Sequence, residues 1–307
     1  MKPVDHPGMA RPRVGVLLVN LGTPDAPDAK SVRRYLAEFL SDQRVVELPR
    51  LLWQPILRGP ILMTRPRKSA HAYAQVWRPD GSPLAVFTRA QAEGLRGAFG
   101  PEVMVDWAMR YGAPAIGDRL KALKAAGCER ILLAPLYPQY CAATTATAND
   151  RAFATLAGMR WQPAVRTLPP YYDDPAYIAA LGQSVEESLA GLGFAPDALV
   201  VSFHGMPTRT LELGDPYHCH CLKTARLLGA ALGREVTVTF QSRFGSAKWL
   251  EPATDAMLAG LPAKGVKRVA IVAPGFSVDC IETLEELAIR GRDTFTAAGG
   301  EDFAYLP

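Results

Sequence analysis

Hydrophobic residues along this chain gather into short unbroken runs separated by longer stretches of helical periodicity. The runs Val14–Asn20, Val103–Met109, Arg130–Ala134, Ala198–Phe203, Val236–Gln241 and Arg268–Ala273 are apolar, rich in β-branched residues and of buried-strand length. Because they are continuous and do not alternate with polar residues, they predict strands covered on both faces, as in a parallel sheet. Ala115–Ala126, Pro175–Leu192 and Cys219–Leu232 predict helices, each ending beside a glycine (Gly127, Gly193, Gly233). A further strand is predicted at Asp302–Leu306, and the whole alternation predicts an α/β fold.

Three passages occur twice in the same order. Leu21-Gly22-Thr23-Pro24 ends the first run as His204-Gly205-Met206-Pro207 ends the fourth; VMVDWAMRYG (Val103–Gly112) matches VTVTFQSRFG (Val236–Gly245); RILLAPLY (Arg130–Tyr137) matches RVAIVAPGF (Arg268–Phe276). The pattern predicts a duplicated α/β unit, with two homologous domains facing each other across a cleft. Leu168-Pro169-Pro170 is the expected crossing, since paired prolines stop a helix, which gives domains 1–168 and 169–307.

In open α/β sheets ligands bind outside the carboxyl ends of the strands, where all three repeats finish. The first copy offers Leu21, Arg110, Tyr111 and Tyr137 there, and the second offers His204, Arg243, Phe244 and Phe276. Only the second copy ends its first strand in an ionisable group. It also continues into Asp279-Cys280-Ile281-Glu282-Thr283-Leu284-Glu285-Glu286, which has no acidic counterpart after Tyr137. On a helix, Glu282 and Glu286 share one face, a carboxylate ladder suited to proton or cation traffic, while Asp279 and Glu285 read as residues favoured by a helix N-terminus. A lone histidine after an apolar run is more often a satisfied core residue. The strand-end position of His204 and the Gly-x-Pro turn behind it favour a functional one. His204 and Glu282 together suit an acid/base pair or a transient divalent-metal site with open positions, because two ligands are too few for a structural zinc.

Composition narrows the field without choosing a substrate. The chain has 307 residues, 49% hydrophobic and 21% charged, which excludes disordered and fibrous classes and leaves room for two cores. A net charge of +4, from 34 Lys and Arg against 30 Asp and Glu, is too mixed to argue for nucleic acid. Five cysteines without small-scaffold spacing predict reduced thiols and a cytoplasmic setting. The start, MKPVDHPGMARPR, lacks an export signal's apolar core, and no run is long enough to span a membrane. The Gly-x-Pro turns lack a Gly-x-Gly-x-x-Gly pattern, so no nucleotide is expected.

From these residues the chain resembles the ferrochelatases, which insert ferrous iron into a porphyrin at the end of haem synthesis. The resemblance rests on LVVSFHGMPTRTLELGDPY (Leu199–Tyr217), NLGTP (Asn20–Pro24), Gly81-Ser82-Pro83-Leu84, LYPQY (Leu136–Tyr140), FQSRFG with Trp249 behind it, and PGFSVDCIETLEEL (Pro274–Leu287). It implies two Rossmann-like domains, each a parallel sheet flanked by helices in the manner of class II chelatases, with a porphyrin cleft between them. It further implies a lyase in which His204 and Glu282 are catalytic, and His204, Glu282 and Glu286 handle the metal. Leu21, Arg110, Tyr111, Tyr137, Trp249 and Phe276 would line the porphyrin pocket. Ferrous iron is then a substrate, and no resident cofactor is required. Some members carry a [2Fe–2S] cluster on cysteines near or beyond the chain end; this chain stops at Pro307, before the closing helix the resemblance leads one to expect, so no cluster is assigned. Cys280 stands where some relatives have a second histidine, and Arg290 where some continue the acidic ladder.

The first copy carries about 50 residues more than the second between its first two strands, beyond ordinary crossover length. Within them, LPRLLWQPILRGPILM (Leu48–Met63) is apolar and proline-broken, rimmed by Arg50, Arg58, Arg65, Arg67 and Lys68. It is expected to form a lip resting on a membrane surface, peripheral on the inner membrane, with a core helix as the plainer alternative. His218-Cys219-His220-Cys221 opens a helical stretch away from the site and is not read as a metal centre. Two other readings stay open: a non-catalytic tetrapyrrole- or metal-binding protein on the same scaffold, and a chelatase for another metal or ring, such as coproporphyrin III or a sirohydrochlorin.

Overall fold

The computed structural model describes residues 12–245 and 247–307. Most of the N-terminal stretch read above for an export signal lies outside the described residues. Strands β1 (Arg13–Gly22), β2 (Val103–Tyr111), β3 (Cys128–Pro135) and β4 (Ala164–Thr167) form one sheet in the order β2-β1-β3-β4. Strands β5 (Ala198–His204), β6 (Thr237–Gln241), β7 (Arg268–Val272) and β8 (Asp302–Leu306) form a second in the order β6-β5-β7-β8. Every pairing is parallel, and the two orders correspond strand for strand.

Both sheets are covered on both faces, which is why their strands read as unbroken hydrophobic runs. Leu17 and Val19 pack on one side of β1 with Ile116, Leu120 and Ala148, while Val16 and Leu18 pack on the other with Ala92 and Val105. In the second sheet Leu199, Val201 and Phe203 join Leu228 and Val185, and Val200 joins Leu258, Leu287 and Phe295. The short edge strand β4 carries Val165 among Arg166 and Thr167, with no hydrophobic run to announce it. After β4 the chain passes Pro169-Pro170 and enters the helix Pro175–Ala190, capped by the Asp174 carboxylate on the amides of Ala176 and Tyr177. That helix packs against Tyr217–Leu232, beside the second sheet.

In each sheet the order reverses between the first and third strand of the copy, and a crevice opens at such a point outside the carboxyl ends. The reversal in the second sheet lies between β5, which ends in His204, and β7, whose following loop leads to Glu282. In the first it lies between β1 and β3, beside Leu21 and Tyr137. Segments from the two halves are bonded to each other: the Ala142 amide donates to Asp215 at 2.8 Å, the Tyr140 amide to His220 Nδ1 at 3.2 Å, and Gln91 Nε2 to the Ser277 carbonyl at 2.9 Å.

The inserted segment is helical almost throughout, which corrects part of the expectation for it. A helix at Arg50–Ile56, a π-helical turn at Leu57–Ile61 and a helix at Leu62–Val76 run on through Pro55, Pro60 and Pro66. Gly59 leaves the helical region, and the wider turn accommodates carbonyls that the prolines cannot serve. Leu48, Leu51, Leu52, Ile56 and Met63 are exposed, Leu51 to 90%. Leu57 and Leu62, expected on the same patch, are buried against Leu40, and Trp53 turns inward to donate Nε1–H to the Leu40 carbonyl at 2.6 Å. No helix among the described residues is long and apolar enough to cross a membrane.

Candidate active site

His204 is half-buried at the end of β5, opposite Gln241 at the end of β6. Its Nδ1 lies 2.7 Å from the Gly205 carbonyl oxygen. A carbonyl can only accept, so Nδ1 carries the hydrogen, and in the neutral ring Nε2 keeps a free lone pair. The turn behind it is pinned by an antiparallel bridge between Pro207 and Trp249, with the Thr208 amide on the Lys248 carbonyl at 2.9 Å and the Leu250 amide on the Met206 carbonyl at 2.9 Å.

Glu282 stands in the short helix Ile281–Thr283, which continues as a π-helical segment, Leu284–Gly291. Its carbonyl accepts Gln241 Nε2–H at 2.8 Å, which ties this segment to the strand beside His204. Around Glu282 lie two tyrosines that the sequence reading missed, Tyr35 on the helix Ala29–Phe39 and Tyr73 on the helix Leu62–Val76, both buried. Burial, the neighbouring Tyr73 and the Glu282 charge push the Tyr35 hydroxyl well above its ordinary pKa; burial and Glu282 do the same for Tyr73. Both stay protonated and can donate hydrogen bonds. Burial, followed by Glu282, likewise keeps the Cys280 thiol protonated. Nothing local in the sequence marks these tyrosines, since they continue ordinary amphipathic helices.

Glu286, the next carboxylate of the expected ladder, is held by hydrogen bonds. Glu286 accepts the Ser242 amide at 2.8 Å and the Ser242 hydroxyl at 2.6 Å, holding Ser242 in a left-handed backbone (φ 65°), and Arg290 approaches to 3.8 Å. Glu285 is buried against Arg290 at 2.9 Å and does not merely favour a helix start. Among the described residues no three His, Cys, Asp or Glu side chains gather as a metal-holding group, so His204, Glu282 and Glu286 do not form a ready cage. Glu286 is engaged by Ser242 through one bond to each carboxylate oxygen. His218-Cys219-His220-Cys221 makes no such group either: His220 accepts the Tyr140 amide and stacks on Tyr172, ring centroids 3.7 Å apart.

The residues expected to line a porphyrin pocket divide into two sets. Leu21, Tyr137 and Phe276 are half-buried at strand ends, and the Tyr137 hydroxyl is buried without a partner. Tyr111 and Trp249 instead stand behind the surface, at 0% and 6% exposure. Tyr111 is drawn in by Asp42, which accepts its hydroxyl at 2.9 Å together with Arg110 Nη2 at 2.5 Å and Thr147 Oγ1 at 2.5 Å. Burial opposes the Asp42 charge, but the bonds from Thr147, the Arg44 amide and Tyr111, with the Arg110 charge, hold its carboxyl below the usual carboxylate range. Trp249 lies under the Gly205 turn, its Nε1 unpaired, with the Phe244 ring tilted against it at 4.9 Å between centroids and Arg65 of the insertion 5.3 Å over Phe244. A cavity of about 560 Å³ beside the Pro274–Asp279 loop is lined by Phe87, Tyr177, Leu181 and Phe276, and by neither His204 nor Glu282.

Comparison with known proteins places the chain as a whole. The family model described as Ferrochelatase matches residues 13–307. A ferrochelatase of Rhizobium meliloti (strain 1021) is 56% identical over 310 residues, covering 99% of this chain and 91% of that protein. One of Azoarcus sp. (strain BH72) is 55% identical over 300 residues, covering 96% and 82%. Among solved structures, SirB from Bacillus subtilis with Fe3+ superposes with a TM-score of 0.55 at 14% identity, over 96% of this chain and 88% of that one, a likeness of fold.

Proposed function

This chain belongs to the ferrochelatase family, and on that premise we propose that it inserts ferrous iron into protoporphyrin IX, with His204 taking the pyrrole protons and Glu282 stripping water from the arriving iron and passing protons on. It is a lyase of haem biosynthesis, acting on a porphyrin and iron. The observation that carries the assignment of roles is the His204 ring, whose Nδ1–H is committed to the Gly205 carbonyl so that Nε2 is left as an acceptor at a strand end.

A planar porphyrin hides its nitrogen lone pairs in the ring plane and holds two N–H protons. Metal enters only when the ring buckles and the protons leave, so the site needs walls that bend the ring and a base that works near neutral pH. Leu21, Tyr137 and Phe276 supply apolar and aromatic surface, and Arg110, fixed by Asp42 and Thr147, stiffens the wall behind them. Glu282, beside the protonated hydroxyls of Tyr35 and Tyr73, can shed part of a hydrated ion's shell without becoming a tight ligand. Iron is consumed as substrate, and no step calls for a resident cofactor.

The more apolar ring is favoured by the insertion. Leu51, Leu52, Ile56 and Met63 are exposed beside Arg50, Arg58, Arg67 and Lys68, an arrangement that suits peripheral contact with an anionic membrane in the cytoplasm. Burying such side chains is worth about 1.5–3 kcal/mol each, and each cation adds about 1 kcal/mol near the surface, enough for reversible attachment. Anaerobic metallation with ferrous iron tests the proposal, following loss of free-base fluorescence with protoporphyrin IX and coproporphyrin III side by side. Faster turnover of protoporphyrin IX is expected; preference for coproporphyrin III would overturn the choice of ring, and turnover of neither would overturn the activity.

A further inference from the structure

Three hydrogen bonds run in series between the two residues given the chemistry above. The Glu282 carbonyl accepts Gln241 Nε2–H at 2.8 Å, the Gln241 carbonyl accepts the Gly205 N–H at 2.7 Å, and the Gly205 carbonyl accepts His204 Nδ1–H at 2.7 Å. One residue thus meets both catalytic segments, its side chain on one and its backbone on the other. Gln241 is 2% exposed, and its amide has one satisfied orientation: Oε1 accepts the Ser202 hydroxyl at 2.9 Å, which leaves Nε2 for Glu282. Ser202 is joined in turn to Thr254 Oγ1 at 2.9 Å, at the start of the helix Thr254–Gly260, and Thr254 to Thr239 Oγ1 at 2.9 Å, all three buried.

Such an anchor has work to do here. Glu282 sits on a helix of only three residues before the π-helical segment begins, so its backbone has little regular helix of its own to hold it. A buried, fully satisfied amide specifies one arrangement, because breaking any of its bonds strands a polar group away from water. We infer that Gln241 is a positioning residue for metal insertion, holding the Glu282 segment against the turn that aims His204 and fixes its tautomer. The inference rests on the ferrochelatase reading for the reaction, and on geometry alone for the wiring. A misplacement of about 1 Å costs a positioned reaction on the order of a hundredfold in rate.

The test compares Gln241→Leu, which removes the amide, with Thr239→Val, which disturbs the same buried network three hydrogen bonds away. In Gln241→Leu, kcat for iron insertion should fall by about tenfold to a hundredfold, while the porphyrin Kd from fluorescence quenching stays within about twofold. Histidine 15N spectra, simple in a chain with five histidines, should show His204 as a single Nδ1–H tautomer in the wild type and in Gln241→Leu alike, because the variant keeps the Gln241 backbone carbonyl that holds Gly205. Thr239→Val should lower the thermal midpoint and leave both kcat and tautomer unchanged. An unaltered kcat in Gln241→Leu would overturn the inference, as would a kcat loss in Thr239→Val matching its loss of stability. A wild type with a locked tautomer that metallates no porphyrin would overturn the functional reading, and with it the role in insertion, while leaving the wiring in place.

Discussion

Gly205 sets the geometry next to His204. A Cβ there would lie 2.6 Å from the Gln241 carbonyl oxygen and 3.3 Å from Trp249 Cε3, and neither backbone nor a buried indole can give way cheaply. Gly205→Ala should therefore open the β5–β6 end, costing about 1–3 kcal/mol by calorimetry and reducing iron insertion more than porphyrin binding. Asp42 makes a different prediction. Its carboxyl is depressed in the folded protein, so the stability it contributes is complete above the unfolded value of about 3.9 and is lost as pH falls through the folded one. Thermal midpoints of wild type and Asp42→Asn should differ near neutrality and converge below about pH 4; a gap that widens on acidification would contradict this. The strand-end position of His204 was legible from the sequence because two copies of one motif could be compared and only one ended in an ionisable residue. Asp42, Gln241, Tyr35 and Tyr73 were not, since their partners lie in other elements: Asp42 meets Arg110, Tyr111 and Thr147 across the fold, and no local pattern records such pairings.

The strands were the most legible elements, because burial on both faces writes a hydrophobic run into the sequence. The exception, β4, is four residues at a sheet edge, too short and too polar to stand out. Helices interrupted by proline were the least legible. The insertion was expected to be broken, yet it stays helical because a π-helical turn and Gly59 absorb what Pro55 and Pro60 take away. This changes how its membrane role is tested. Trp53 is held by the Leu40 carbonyl and Gln54 by Ser41, so charging Trp53 would damage the fold near Asp42. Leu51 and Leu52 are free of such ties, and Leu51→Asp with Leu52→Asp should lower sedimentation with anionic liposomes at least about tenfold at unchanged thermal midpoint. Equal binding by the double variant would leave the insertion without a membrane role.

Across the whole molecule the duplication divides labour between two sheets of the same order. The first supplies the insertion, the stiffened Arg110 wall and the tyrosines; the second supplies His204, Gln241 and Glu282 at the point where its strand order reverses. Under the proposed function, the arrangement separates holding the ring from exchanging its protons for metal. His204→Ala tests that separation most directly, with porphyrin affinity and single-turnover iron insertion measured on the same preparation. Loss of the base should slow insertion by about 10²–10⁴-fold while porphyrin Kd changes by less than about threefold. Insertion at the wild-type rate, or a loss of affinity that accounts for the whole defect, would contradict the division of labour.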